Sequence, residues 1–155
     1  MQVRLETLQR LVTLYAAVEE MHSTELQQMA AAVREAQQAI GVEQGVARSA
    51  RIDGRGALLA GDRVSWMMAQ SQQDTAGWRR RRLEQIRLER EELNEAARER
   101  YVASRLKREQ IKRVFDDIAA RMEMEEGRRL QAASDDRFLA RRRWTDRRKK
   151  DDTSG

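Results

Sequence analysis

Apolar residues at Leu5, Leu8, Val12 and Tyr15 advance by three, four and three positions, and Leu26, Met29, Val33, Ala36 and Ile40 resume the same alternation. That spacing is the mark of a helix that buries a narrow seam against another helix. It is incompatible with the two-residue period of a strand. A strict continuation of the heptad between the two runs would bury Glu19 and His22. A four-residue stutter through Leu11, Val18 and His22 would keep the stripe more apolar, and this shifted seam is the expectation.

Nothing in the chain contradicts long helices, since none of the 155 residues is proline and Ala, Arg, Glu, Gln and Leu are abundant. Only 40% of the residues are hydrophobic and 37% are charged, which is poor material for a globular core and adequate for a stripe. Five of the eight glycines lie between Gly41 and Gly61, and "RIDGRG" reads as a turn. A first helix over about 3–50, a break over about 51–61 and a second helix over about 62–145 follow, with a flexible basic tail to 155. Asp62 is placed to cap the second helix. That helix carries apolar positions at Leu83, Ile86, Leu93, Ala97, Ile111, Phe115, Ile118 and Met122, and i,i+4 charge pairs such as Arg80 with Glu84.

The expected fold is all-α: a single antiparallel coiled-coil hairpin whose second helix is the longer. At ~1.5 Å per residue the second helix would overhang the first by roughly 50 Å.

Charge is uneven along the chain. Residues 1–50 hold four arginines against six glutamates, whereas residues 128–150 hold ten Lys or Arg against three Asp. The run Arg79–Arg82 covers just over one helical turn, so it sprays around the helix and is expected to be solvated surface. The cluster "FLARRRWTDRRKKDD" sets Phe138 and Trp144 among bases, either as a partner-binding end or as a solubilising tail. Near the hairpin tip, "LLAGDRVSWMMAQSQQDTAGW" gathers Leu58, Leu59, Val64, Trp66, Met67, Met68 and Trp78, which either close the tip or form an exposed docking patch.

Enzyme signatures are missing: there is one histidine, no cysteine and no phosphate-binding glycine loop. Asp116 and Asp117 are neighbours that point about 100° apart on a helix, so they do not converge as an acid and base pair would. His22 is expected to be a packed or edge residue. No catalytic residue, cofactor, metal or small-molecule substrate is expected. No stretch approaches the ~20 apolar residues of a membrane span and no apolar run suits a signal peptide, so the expectation is a cytoplasmic protein.

The opening "RLETLQRLVTLY", the glycine-marked break, the tip segment "GDRVSWMMAQSQQ" and the ending "RRLQAASDDRFLARRRW" together resemble the stalk proteins of flagellar and type III secretion export, the FliJ and YscO families. The resemblance covers most of the chain, with loose motifs. It implies a hairpin similar to the central shaft of rotary ATPases, whose terminal end enters the pore of a hexameric export ATPase. It also implies contact with the cytoplasmic domain of the membrane export gate, handling of export chaperones, and a monomer when alone. Val64, Trp66, Met67 and Gln70 would then fall in the gate-contact segment. Arg137, Phe138, Arg141, Arg142, Arg143 and Trp144 would fall in the ATPase-associated end. The tip is richer in Met than the family pattern and the second helix richer in Arg.

Two other readings remain. A pI ≈ 10.2 and the Arg-rich ends of the second helix suit a basic coiled-coil protein that binds nucleic acid. A coiled-coil scaffold that oligomerises through its seam is the other. A basic-zipper DNA reader is disfavoured, because the regular seam stands at the end away from the bases.

Overall fold

The computed structural model describes residues 2–152, with side chains described for residues 4–149. It contains two helices, α1 (Gln2–Leu59) and α2 (Arg63–Asp152), 58 and 90 residues long. They pack against each other as an all-α hairpin without strands among the described residues. Their contacts fall into two units: Tyr15–Lys107, which contains the turn, and Met1–Leu14 with Arg108–Gly155.

The break is shorter and later than the glycine cluster suggests. Gly41, Gly45, Gly54 and Gly56 all lie inside α1, and the chain reverses over residues 60–62 alone. A helix interior loses only about 1 kcal/mol per glycine relative to alanine, which packing against a second helix readily offsets. Gly61 supplies what the turn requires, a positive φ of 70°. Around it the Asp62 N–H donates to the Ala57 carbonyl at 2.9 Å and the Gly61 N–H to the Leu58 carbonyl at 3.2 Å. These two bonds form the Schellman closure, which satisfies carbonyls that the helix end leaves orphaned.

Asp62 caps α2 as expected. Its Oδ1 accepts from the Ser65 N–H at 3.1 Å and its Oδ2 from the Ser65 hydroxyl at 2.5 Å. The hydroxyl bond first, and the backbone N–H bond second, hold the Asp62 carboxyl below its ordinary range. α2 also continues past the expected end at about 145, to Asp152, because "ARRRWTDRRKKDD" contains no glycine or proline to stop it. Residues 153–155 lie outside the described residues.

In the unit Tyr15–Lys107 the helices are antiparallel, as cross-helix partners show: Gly54 meets Ala69, Glu43 meets Arg79, Glu35 meets Arg90 and Glu25 meets Arg100. The buried residues are Ile40 and otherwise small side chains: Ala36, Ala50, Ala69, Ala76, Ala97 and Ser104. A Cβ placed on Gly54 would stand 3.3 Å from the Ala69 Cβ, so the two backbones approach closely there.

The seam keeps its strict heptad, contrary to the expected stutter. Leu11 is exposed, while Glu19 and His22 are half-buried. The seam of α2 is correspondingly polar, with Arg87, Arg90 and Asn94 half-buried and Leu93 turned outward. Arg90 and His22 find partners across the hairpin, whereas Arg87 pairs with Glu91 on its own helix at 3.7 Å and the buried Asn94 Oδ1 has no hydrogen-bond partner. Arg90 Nη1 donates to the Ala32 carbonyl at 2.8 Å. The Ser104 hydroxyl donates to the Arg100 carbonyl at 2.9 Å and also contacts His22 Nδ1.

In the other unit Leu5, Leu8 and Val12 of α1 and Ile111, Phe115, Ile118 and Met122 of α2 are half-buried. From Glu123 to Lys149 every side chain of α2 is exposed. At ~1.5 Å per residue this exposed stretch is about 40 Å of helix, close to the overhang expected.

Candidate docking surfaces at the turn and on the α2 extension

Near the turn, Leu58, Leu59, Val64, Met67, Met68 and Trp78 are all exposed, so they do not close the tip. They leave an apolar surface available on both helices. The four residues singled out in this segment divide between two faces. Trp66 and Gln70, one turn apart, line a shallow groove of ≈ 150 Å³ against α1. Val64 and Met67 are i,i+3 neighbours on the side away from that groove, and Trp78, three turns beyond Met67, shares their face. Trp66, beside α1 in the groove, is 38% exposed, and Trp78 is 60% exposed.

The α1 wall of the groove is supplied by Arg51, Arg55 and Leu58. These residues do not stand out in the sequence, because "RIDGRG" reads as a loop. Placed on a helix, Arg51, Arg55 and Leu58 step by four and three and so share one face. The opposite flank of the hairpin holds a second, polar groove containing Ser49, Ser71 and Thr75, with Glu43 and Arg79 paired at 4.0 Å.

At the far end of α2, Phe138 is 65% exposed and Trp144 58%. Six residues separate them, which places them about 120° apart around the helix. The basic residues therefore form a belt instead of one face. Arg137, Arg141 and Trp144 lie on one side, where the Arg148 guanidinium stacks over the Trp144 ring at 4.4 Å. Phe138 has Arg142 one turn further on, and Arg143 points elsewhere. Thr145 Oγ1 donates to the Arg142 carbonyl at 2.8 Å, keeping its hydroxyl on the backbone.

The Arg79–Arg82 run is solvated surface, as its spacing implies. Arg80 pairs with Glu84 at 3.7 Å, Arg79 reaches Glu43, and Arg81 and Arg82 are exposed. No group of three or more His, Cys, Asp or Glu suited to a metal ion exists among the described residues. No helix there is long and apolar enough to cross a membrane.

Fold and surfaces together define an all-α helical hairpin with an apolar turn end and a basic helical extension. Comparison with known protein families, with characterised proteins and with solved structures returned no match.

Proposed function

We propose that the chain is a non-enzymatic stalk and escort protein of a type III protein export apparatus, flagellar or virulence-type. In this reading it is monomeric when free, works in the cytoplasm beside the membrane export apparatus, and hands over export chaperones. Its basic end enters the pore of the hexameric export ATPase, and its turn end meets the cytoplasmic domain of the export gate.

One observation carries the proposal. The segment that resembles the family's ATPase-associated end is an exposed helix in which Phe138 and Trp144 stand in a belt of arginines. Arginine offers several donors in a fixed fork to a ring of carbonyls or carboxylates, and the attraction of a basic helix for an acidic lining is screened by salt.

The test is ATP hydrolysis by the export ATPase of the same organism, titrated with this protein. Stimulation that disappears on truncation after Leu130 supports a stalk acting through its basic end. Absence of both stimulation and binding would overturn the reading. Tight binding to DNA or RNA at physiological salt, with a steep salt slope, would put a nucleic-acid-binding protein in its place. Replacing Arg141, Arg142 and Arg143 by Gln is expected to weaken ATPase binding while leaving solubility nearly unchanged; replacing Arg79 to Arg82 by Gln is expected to do the reverse.

A further inference from the structure

The groove beside the turn is lined by arginines that no carboxylate among the described residues meets. Across the hairpin, Arg79, Arg90 and Arg100 each meet a glutamate of α1. Arg51 and Arg55 line the groove with no acidic residue among its walls, and neither forms an ion pair among the described residues. They stand one turn apart, so both guanidinium groups address the same strip of surface.

Next to them Leu58 and Trp66 provide an apolar platform, and Gln70 and Gln73 line the α2 side with amide donors and acceptors. The floor is low because Gly54 and Ala69 meet there with almost no side chain between the backbones. A shallow trough, open along its length, with two uncompensated cations and an aromatic anchor results. The paired Glu43 and Arg79 of the opposite flank leave that side without such a demand.

We propose that this groove docks an acidic peptide segment, its carboxylates on Arg51 and Arg55 and an apolar side chain between Leu58 and Trp66. Guanidinium–carboxylate pairing is bidentate and charge-assisted, and a half-covered tryptophan beside arginine is the composition of interface centres. Two bases one turn apart do not make the long phosphate-tracking stripe of a nucleic-acid groove, which places a peptide ahead of RNA. The inference rests on the turn end being a docking end, as in the stalk reading, and adds the face and the chemistry of its partner.

The experiment uses the full chain and two fluorescein-labelled amphipathic peptides, one of glutamate and leucine and one of lysine and leucine, read by anisotropy. The glutamate peptide is expected to bind and the lysine peptide not to. Arg51→Gln, Arg55→Gln and Trp66→Ala are each expected to weaken binding about tenfold, and Arg81→Gln with Arg82→Gln to leave it unchanged. All these side chains are exposed or half-exposed, and circular dichroism confirms that each variant keeps its helices. Unchanged affinity in the Arg51→Gln, Arg55→Gln pair, equal binding of the lysine peptide, or displacement of the glutamate peptide by a single-stranded RNA oligonucleotide would overturn the proposal. Peptide binding without ATPase stimulation would discard the stalk and keep the groove; stimulation without peptide binding would do the opposite.

Discussion

The stretch that packs Gly54 against Ala69 and buries Ala50, Ala76 and Ala97 is as helical as the stretch from Glu123 to Lys149, yet the two obey opposite rules. At these positions of the first, the partner helix is so near that a side chain is admitted only if it is small. In the second, every side chain is exposed and helix propensity alone decides what is tolerated. Helical sequence is therefore a weak guide to mechanical role: the same composition makes a tight joint or an open surface according to what stands opposite.

Substitutions that add volume separate the two regions most sharply. Ala97, 1% exposed, changed to Leu is expected to cost about 3 kcal/mol in urea unfolding, whereas Ala133→Leu on the extension should stay within about 0.5 kcal/mol. Equal costs would show that α2 meets a partner surface at Ala133 as well.

At the turn, Gly61→Ala forces a side chain into φ 70° and is expected to lower stability by about 1–2 kcal/mol. Ser104→Ala deprives His22 Nδ1 of its hydrogen-bond partner and should cost about 1–2 kcal/mol. A neutral effect there would mean that the imidazole finds another partner.

Glycines provide a finer measure. Gly127→Ala meets nothing within 4 Å and should stabilise helix in the extension by about 1 kcal/mol, visible as increased ellipticity. Gly54→Ala meets Ala69 and should yield no such gain, since the backbones must part to admit it.

The smallest effect belongs to Asp62. Its folded-state carboxyl sits below the ordinary range, so its contribution is complete above the unfolded carboxylate pKa and is lost as pH falls through the folded value. Asp62→Asn keeps a cap and should remove that part of the acid sensitivity, measured as the slope of stability against pH below about 4.

Much of this architecture is legible in the sequence, and the misreadings share a cause. The seam of α1 is visible because Leu5 to Tyr15 and Leu26 to Ile40 keep one alternation, and the cap is visible because Asp follows Gly61. The stutter was expected only because a seam was required to be apolar. His22 fits there because Ser104 of α2 stands against it, a match that no local window contains. Placing the break at "RIDGRG" follows from local glycine content, whereas Gly54 is set by close contact with a residue fifteen positions away. That error concealed the groove, because Arg51, Arg55 and Leu58 share a face only once α1 is known to reach Leu59. Val64, Trp66, Met67 and Gln70 are neighbours in sequence and yet divide between two faces, as a turn of about 100° per residue dictates.

The His22–Ser104 pair has a consequence for sliding. A uniform heptad seam tolerates a shift of seven residues, because each small side chain meets another like it. Such a shift would bring His22 opposite Ala97 or Ile111, where no hydroxyl meets its Nδ1, and would pull Glu25 and Glu35 off Arg100 and Arg90. The imidazole works as the tooth of a ratchet with a single notch, so that a seam repetitive enough to slip has one place to stop.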